Sequence, residues 1–323
     1  MPMYNFVIDC TDADLEDYLN MPPQDAVKVF TRGDLNWCLQ TYFILSRQNK
    51  ISLKCTNTLC DDSINIVHSD QLLKLKGNPS QFLVCVRADY PKRRWAHYHI
   101  VQNQKQLGSD TSYVPHWVQP GLIKRDENRQ GVKRVAYAGE ILNGNLAGSV
   151  KTWEDLFSPH DIEFVTLAGG SWHDLKDIDV LIGIRSFNSQ TYDSKPPTKL
   201  FSAWHANIPF IGGHDSAFLQ VGTPGIDYLL ASTPEEAVNA VLKLRDNKDL
   251  YISLIENSKE KVEKYNENSI AKEWLEILTG PIIDRYELWK ARPTDESKKF
   301  ILHQRLGLAE HEVKKAIKSV LKF

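Results

Sequence analysis

Short runs of consecutive apolar residues, separated by polar or helix-like stretches, recur along most of the chain. Between 27 and 118 they are Val27-Lys-Val-Phe30, Ile51-Ser-Leu-Lys-Cys55, Ile64-Asn-Ile-Val67, Gln81-Phe-Leu-Val-Cys-Val86 and Tyr98-His-Ile-Val101, with a helix-like stretch at 34–47. Few hairpin signals lie between these runs, and strands joined by helical stretches rather than tight turns imply a compact parallel sheet. A second series starts at Lys133-Arg-Val-Ala-Tyr-Ala138. It predicts a helix near 150–157, strands at 162–167, 179–184, 208–212 and 228–231, and an amphipathic helix from Pro234 to Asn247. Helix signals continue to about 279, where Pro281 ends them. A loop is expected at 293–299, before a last basic helix ending Leu321-Lys-Phe323.

Between the two series the composition of 120–131 shifts to Gly, Pro and charge, as a linker's does. The expected organisation is α/β: one domain over 1–122, a second over 132–282, and a helical tail over 283–323. Two such αβ series joined by a linker place a cleft between two sheet edges. The length agrees, since 323 residues exceed what one core usually organises.

One stretch packs three elements together: Lys195-Pro-Pro-Thr-Lys-Leu-Phe-Ser-Ala-Trp-His-Ala-Asn-Ile-Pro-Phe-Ile-Gly-Gly213. The prolines fix an extended approach, Thr198 is placed to cap the helix, and Asn207 suits the left-handed residue that closes it, leaving about two helical turns over 199–206. Lys195 and Lys199 flank the helix start, where unpaired N–H groups and the positive dipole end favour a phosphate. Upstream, the continuous apolar run 179–184 reads as a central parallel strand that delivers Arg185 at its C-terminal edge, where ligands of open α/β sheets bind. The bland alternative is an ordinary αβ unit with solvated lysines.

That run, followed by Asp215-Ser-Ala-Phe218, Asp227-Tyr228 and Ser232-Thr-Pro-Glu-Glu-Ala237, resembles the donor-binding half of glycosyltransferases of the GT-B type, those related to the large retaining family 4. The resemblance spans about 180–265 and extends upstream through Val114-Pro-His-Trp-Val-Gln-Pro-Gly-Leu122 and Arg134-Val-Ala-Tyr-Ala-Gly139. It implies two Rossmann-like domains with parallel sheets facing across a cleft, and transfer of a sugar from a nucleotide diphosphate sugar to a glycan or lipid-linked acceptor. It also implies that the diphosphate meets Arg185, Lys195, Thr198 and Lys199, while Gly139, Gly170 and Trp172 stand in loops near the nucleotide. Where the family carries a pair of glutamates, the second contacting the ribose, this chain has Ser194 and Ser202. A hydroxyl still bonds a ribose, without the charge assistance of a carboxylate.

Transfer of this kind develops negative charge on a departing diphosphate, which a site without metal neutralises with fixed cations and dipoles. No Asp-x-Asp dyad follows the C-terminal end of a strand read here, so neither metal nor cofactor is expected. On the acceptor side Asp89 and His116 are the candidate catalytic residues, each read against a satisfied structural Asp or His. Lys92-Arg-Arg-Trp95 is either a solvated surface turn or a contact for a lipid phosphate head group, the basis for expecting peripheral membrane contact.

The formal charge of −2 gives no global field for nucleic acid, and no basic stripe with interleaved aromatics stands out, so none is expected as a partner. Five cysteines, with Cys38 and Cys85 inside apolar runs, fit a reduced compartment; Cys55 and Cys60 lack a nearby second pair for zinc. The pair His97-x-His99 shares a strand face but has no evident third ligand. An acidic start to the chain and the lack of an apolar run of about 20 residues predict a cytoplasmic protein. Two other functions remain open: a sugar-nucleotide epimerase of the same fold, and a non-enzymic two-domain sugar-binding protein. The absence of G-x-G-x-x-G and G-x-x-x-x-G-K-[ST] after a strand argues against an NAD enzyme or a P-loop nucleotidase.

Overall fold

The structure is a computed structural model that describes residues 2–22, 25, 29–141 and 144–321. It holds two compact units: the first is built from 1–101, 107–114 and 271–323, the second from 102–106 and 115–270.

The first unit carries strands β1 (Met3–Val7), β2 (Leu53–Thr56), β3 (Ser63–His68), β4 (Phe82–Val86), β5 (Tyr98–Val101) and β6 (Thr111–Tyr113). They pair in the order β2-β1-β3-β4-β5-β6, all parallel. β1 is an addition to the sequence reading, and it lies inside the sheet, with Phe6 opposite Cys55 on one side and Ile66 on the other. Residues 27 and 28 of the strand expected at 27–30 lie outside the described residues, and Phe30 stands in a turn. Thr11 and Asp14 form a capping box at the start of helix α1 (Asp12–Leu19), satisfying backbone donors the helix leaves open. The helix expected over 34–47 begins with a π-helical turn, Leu35–Leu39, and continues as α2 (Gln40–Gln48), closed by Asn49 at φ 49°. Helix α3 (Ser69–Leu75) follows β3.

The second unit carries β7 (Arg134–Ala138), helix α4 (Val150–Phe157), β8 (Glu163–Leu167), β9 (Val180–Gly183), α5 (Thr198–His205), β10 (Phe210–Gly212), α6 (Ser216–Val221), β11 (Leu229–Leu230), α7 (Pro234–Asp246) and α8 (Lys248–Lys264). Its sheet runs β11-β10-β9-β7-β8, again all parallel, so β9 is central as its apolar run predicts. Alternate residues serve opposite faces. Val135, Tyr137, Val180 and Ile182 join Trp153, Phe157 and Val241 in one core. Ala136 and Leu181 join Leu200, Phe201, Trp204 and Phe210 in the other. Full burial of a side chain such as Leu200 contributes about 1.5–3 kcal/mol.

The stretch read as a linker is pinned to this unit. The Nε atoms of Arg125 and Arg129 both donate to Asp179 Oδ1 at 3.0 Å, and the Lys133 and Arg134 N–H groups donate to Oδ2 at 2.9 Å. Burial alone raises the Asp179 carboxyl, but these hydrogen bonds and the arginine charges hold it below the usual range.

Helix α9 (Glu267–Thr279) stops before Pro281, but that proline opens α10 (Pro281–Ala291) at its first turn, where a missing N–H costs nothing. The loop expected at 293–299 is helical instead: Pro293 starts α11 (Pro293–Leu321) by the same logic. Residues 271–282, placed by sequence in the second domain, group with the first unit. There Tyr4 donates to Leu278 O at 2.8 Å, Gln304 to Lys76 O at 2.9 Å, and Arg94 pairs with Glu310 at 2.9 Å. Among the described residues no helix is long and apolar enough to cross a membrane.

Candidate functional site

In the second unit the C-terminal ends of the strands gather the candidate residues at one sheet edge. Arg185 follows β9, as expected, and is largely buried. Its Nε donates to Asp215 Oδ2 at 2.7 Å and its Nη1 to Asn145 Oδ1 at 3.1 Å, so the guanidinium is held on two sides. Asp215 stands just past β10 and is wholly buried. Burial pushes its carboxyl above the usual range, against the opposing charges of Arg185, Lys199 and Lys195. Arg185, from a strand end, is thus paired with this carboxylate, and Lys195 from the approach to α5 and Lys199 from its first turn add positive charge to its surroundings.

Helix α5 forms where the sequence places it, over Thr198–His205, with Asn207 beyond it at φ 59°. The cap is a correction: Pro197 occupies the N-cap position, Thr198 is the first helical residue, and no side chain caps the helix. The reason is the double proline, since Pro197 already supplies the carbonyl that Phe201 N–H reaches at 3.1 Å. Lys199 lies with its ammonium 4.7 Å from the centre of the Tyr137 ring. Gly139, at φ 134°, ends β7 beside it: a Cβ there would meet Lys199 Nζ at 3.4 Å and would strain the backbone. Ser202 is one turn further along α5 on the face of Thr198, and it is buried, whereas Ser194 is half-buried in the preceding loop.

Gly170, at φ 93°, and Trp172 sit in the turn after β8. His173 Nδ1 lies 2.9 Å from Gly170 O, and Gly169 N–H reaches Glu140 Oε1 at 3.3 Å. No helix starts in this turn. Trp172 is half-buried against the core around Leu200 and Phe201. A Cβ at Gly170 would meet nothing, so its backbone faces open space.

The two catalytic candidates are not brought together within either unit. Asp89 is exposed, past the C-terminal end of β4 in the first unit. His116 belongs to the second, buried, with Nδ1 against the Trp117 carbonyl. His97 and His99 are also buried and turn to different partners, the Leu83 N–H and the Arg93 carbonyl. Among the described residues no three His, Cys, Asp or Glu side chains are grouped to hold a metal. All five cysteines are free thiols.

The sequence reading gave no role to Asp215, Asn145 or Tyr137. Asp215 carried a signal, being an acid directly after a buried strand and beside one that ends in arginine. Adjacent parallel strands ending in opposite charges invite an ion pair. Asn145 and Tyr137 carried none, because their contacts depend on how the loop after β7 folds back: Tyr137 donates to Asn145 O at 3.0 Å, and Ala147 N–H reaches Ile184 O at 2.8 Å.

No protein-family model matches the chain, and no curated protein matches it. Solved structures do. HepE of Anabaena, solved with UDP and glucose, superposes with a TM-score of 0.55 at 10% identity, over 86% of this chain and 100% of that one. AviGT4, a glycosyltransferase involved in avilamycin A biosynthesis, gives 0.54 at 12%, over 85% and 96%. TarM of S. aureus gives 0.51 at 12%, over 75% of this chain and 58% of its own. At such identities the likeness is one of architecture, and together with two all-parallel sheets it establishes that this chain has the GT-B fold.

Proposed function

We propose that the protein is a glycosyltransferase that takes a hexose from a nucleotide diphosphate sugar and places it on a hydroxyl of a glycan or lipid-linked acceptor without a divalent metal. The observation that supports this reading is the Arg185–Asp215 pair past the end of β9, connected through Asn145 and Tyr137 to Lys199 in the uncapped first turn of α5. A departing diphosphate arriving there meets the ammonium of Lys199, the uncapped N–H groups of α5 and the free edge of the Arg185 fork. Asp215 acts as a positioning residue: it fixes the guanidinium plane before substrate arrives, so less reorganisation is needed as charge develops on the leaving group. The turn at Gly170 and Trp172 receives the base, and the Ser202 hydroxyl receives the ribose. HepE has been solved with UDP-glucose, which supports the donor class and makes UDP the first nucleotide to test.

Calorimetric titration of UDP, GDP, ADP, TDP and CMP with and without EDTA tests this reading. One diphosphate should bind saturably and equally well in both buffers, and sugar transfer from the matching donor should persist in EDTA. Binding of none of the five, or transfer that stops on chelation and returns with magnesium or manganese, refutes it.

A further inference from the structure

Helix α11 lies along the first unit with one face only. Phe300 is buried in the core that holds Leu83 and Trp95, and Leu308 packs on the same core. Gln304 donates to Lys76 O, and Gly307 comes so close to Trp95 that a Cβ would meet the ring at 2.9 Å. At about 100° per residue these four positions share one side of the helix. Leu302, Leu306, Ala309, Val313 and Ala316 share another, about 180° away. All five are exposed, the three large ones by 56, 51 and 59%. Their alternate spacing of four and three residues is that of a coiled-coil seam, so the outer face of α11 is built to receive a second helix. A bilayer surface favours a broad face rich in Trp, Phe and Leu. This face is a single row with alanine at two of its five positions, which lets another helix backbone come close.

The charges beside the seam select the partner. On one flank Arg305 and Glu312 stand seven residues apart, both exposed, and neither makes an ion pair or hydrogen bond among the described residues. Opposite charges one heptad apart on the same flank are self-complementary about a two-fold axis. When a second copy of α11 packs antiparallel with the axis between Gly307 and Leu308, each Arg305 meets the Glu312 of the other chain, while Leu306 packs beside Ala309 and Leu302 beside Val313. Sliding one chain by a heptad sets Glu312 against Glu312 or Arg305 against Arg305, so the register is selected together with the orientation. In a parallel pair Arg305 would face Glu310, which Arg94 and Lys314 already hold at 2.9 and 2.7 Å, and Glu312 would face the apolar Ile317. Because the seam points away from the first unit, the two bodies stand on opposite sides of the helix pair and leave it room to form.

We propose that α11 is a dimerisation helix, pairing antiparallel with α11 of a second copy through Leu302, Leu306 and Val313. A seam from 302 to 316 is about 21 Å long. That length belongs with weak, reversible interfaces, so sedimentation velocity of the full chain should show a monomer–dimer equilibrium in the micromolar range. Leu306→Glu changes an exposed residue and should abolish the dimer while the circular dichroism of the fold is kept. Arg305→Glu and Glu312→Arg, also exposed, each set like charges together and should weaken the dimer about tenfold or more. Mixed in equal amounts, these two variants should pair with each other as tightly as the unaltered chain does, because every flanking contact then joins opposite charges. A chain that stays monomeric, a dimer indifferent to Leu306→Glu, or charge variants that fail to pair on mixing overturns the proposal. Monomers that bind vesicles of phosphatidylcholine and phosphatidylglycerol, and lose them on Leu306→Glu, would give the stripe to a membrane and overturn it as well.

Discussion

At the scale of single residues, the nucleotide site rests on a few atoms whose removal has calculable effects. Lys199→Ala deletes one cation beside an uncapped helix start, and should weaken UDP binding by about 1.5–3 kcal/mol, the range for hydrogen bonds to charged groups. Equal affinity in a folded mutant removes Lys199 from the site. Gly139→Ala acts on the same contact from the other side, adding a Cβ 3.4 Å from Lys199 Nζ at a φ that alanine rarely adopts. It should therefore cost stability and nucleotide affinity together. Ser202→Ala removes a neutral hydroxyl, so its expected cost in UDP affinity is smaller, about 0.5–1.5 kcal/mol. An unchanged isotherm would place the ribose elsewhere.

At the scale of elements, what the sequence revealed depended on whether a local pattern decided the structure. α5 was legible because prolines, a lysine pair and Asn207 each carry a backbone or charge consequence of their own. β9 was legible because a continuous apolar run between polar flanks has one economical home, the middle of a parallel sheet. β1 was not, since Met3-Tyr-Asn-Phe-Val7 mixes a polar Asn into a short run. That Asn is satisfied only by tertiary partners, its amide donating to Asn65 Oδ1 and to Thr58 O, both at 3.0 Å. Pro281 and Pro293 were read as breaks when they are helix starts, because proline stops one helix and begins the next by the same missing N–H. The site divided along similar lines. Positions at strand ends were legible from their strands, while the ion pair between Arg185 and Asp215 needed the order of strands β9 and β10. That pair supplies an element-scale prediction. Asp215→Asn should leave the Arg185 charge buried without its counter-ion and destabilise the second unit by about 3–5 kcal/mol in denaturant titration. The doubly replaced Arg185→Met/Asp215→Leu should recover most of that stability but not UDP binding. Recovery of both would show that the pair serves only the fold.

At the scale of the whole molecule, the two units differ in how they should respond to acid. The first contains His97 and His99, both held neutral by burial, with pKa values lowered from 6.5 to about 3, and His68, lowered for the same first reason. A folded pKa below the unfolded one means that the unfolded chain binds more protons in between. The stability that His97 and His99 confer is therefore complete above pH 6.5 and is lost as pH falls toward 3, at about 1.4 kcal/mol per pH unit for each, and His68 acts in the same direction. In the second unit His205 shares this behaviour. Its paired carboxylate Asp179, held below 3.8, weakens the fold only at more acid pH, and Asp215, held above 3.8, acts in the opposite sense because its protonated form suits the folded state better. The first unit should therefore open first between pH 6.5 and 4. Hydrogen exchange measured by mass spectrometry across that range should show β3, β4 and β5 losing protection before β7, β9 and β10. Replacing His97 with Gln, which keeps a polar side chain but does not titrate, should flatten the pH dependence of the first unit by about 1.4 kcal/mol per pH unit. If the second unit loses protection first, or the slope survives the replacement, buried histidine protonation is not what limits the protein in acid.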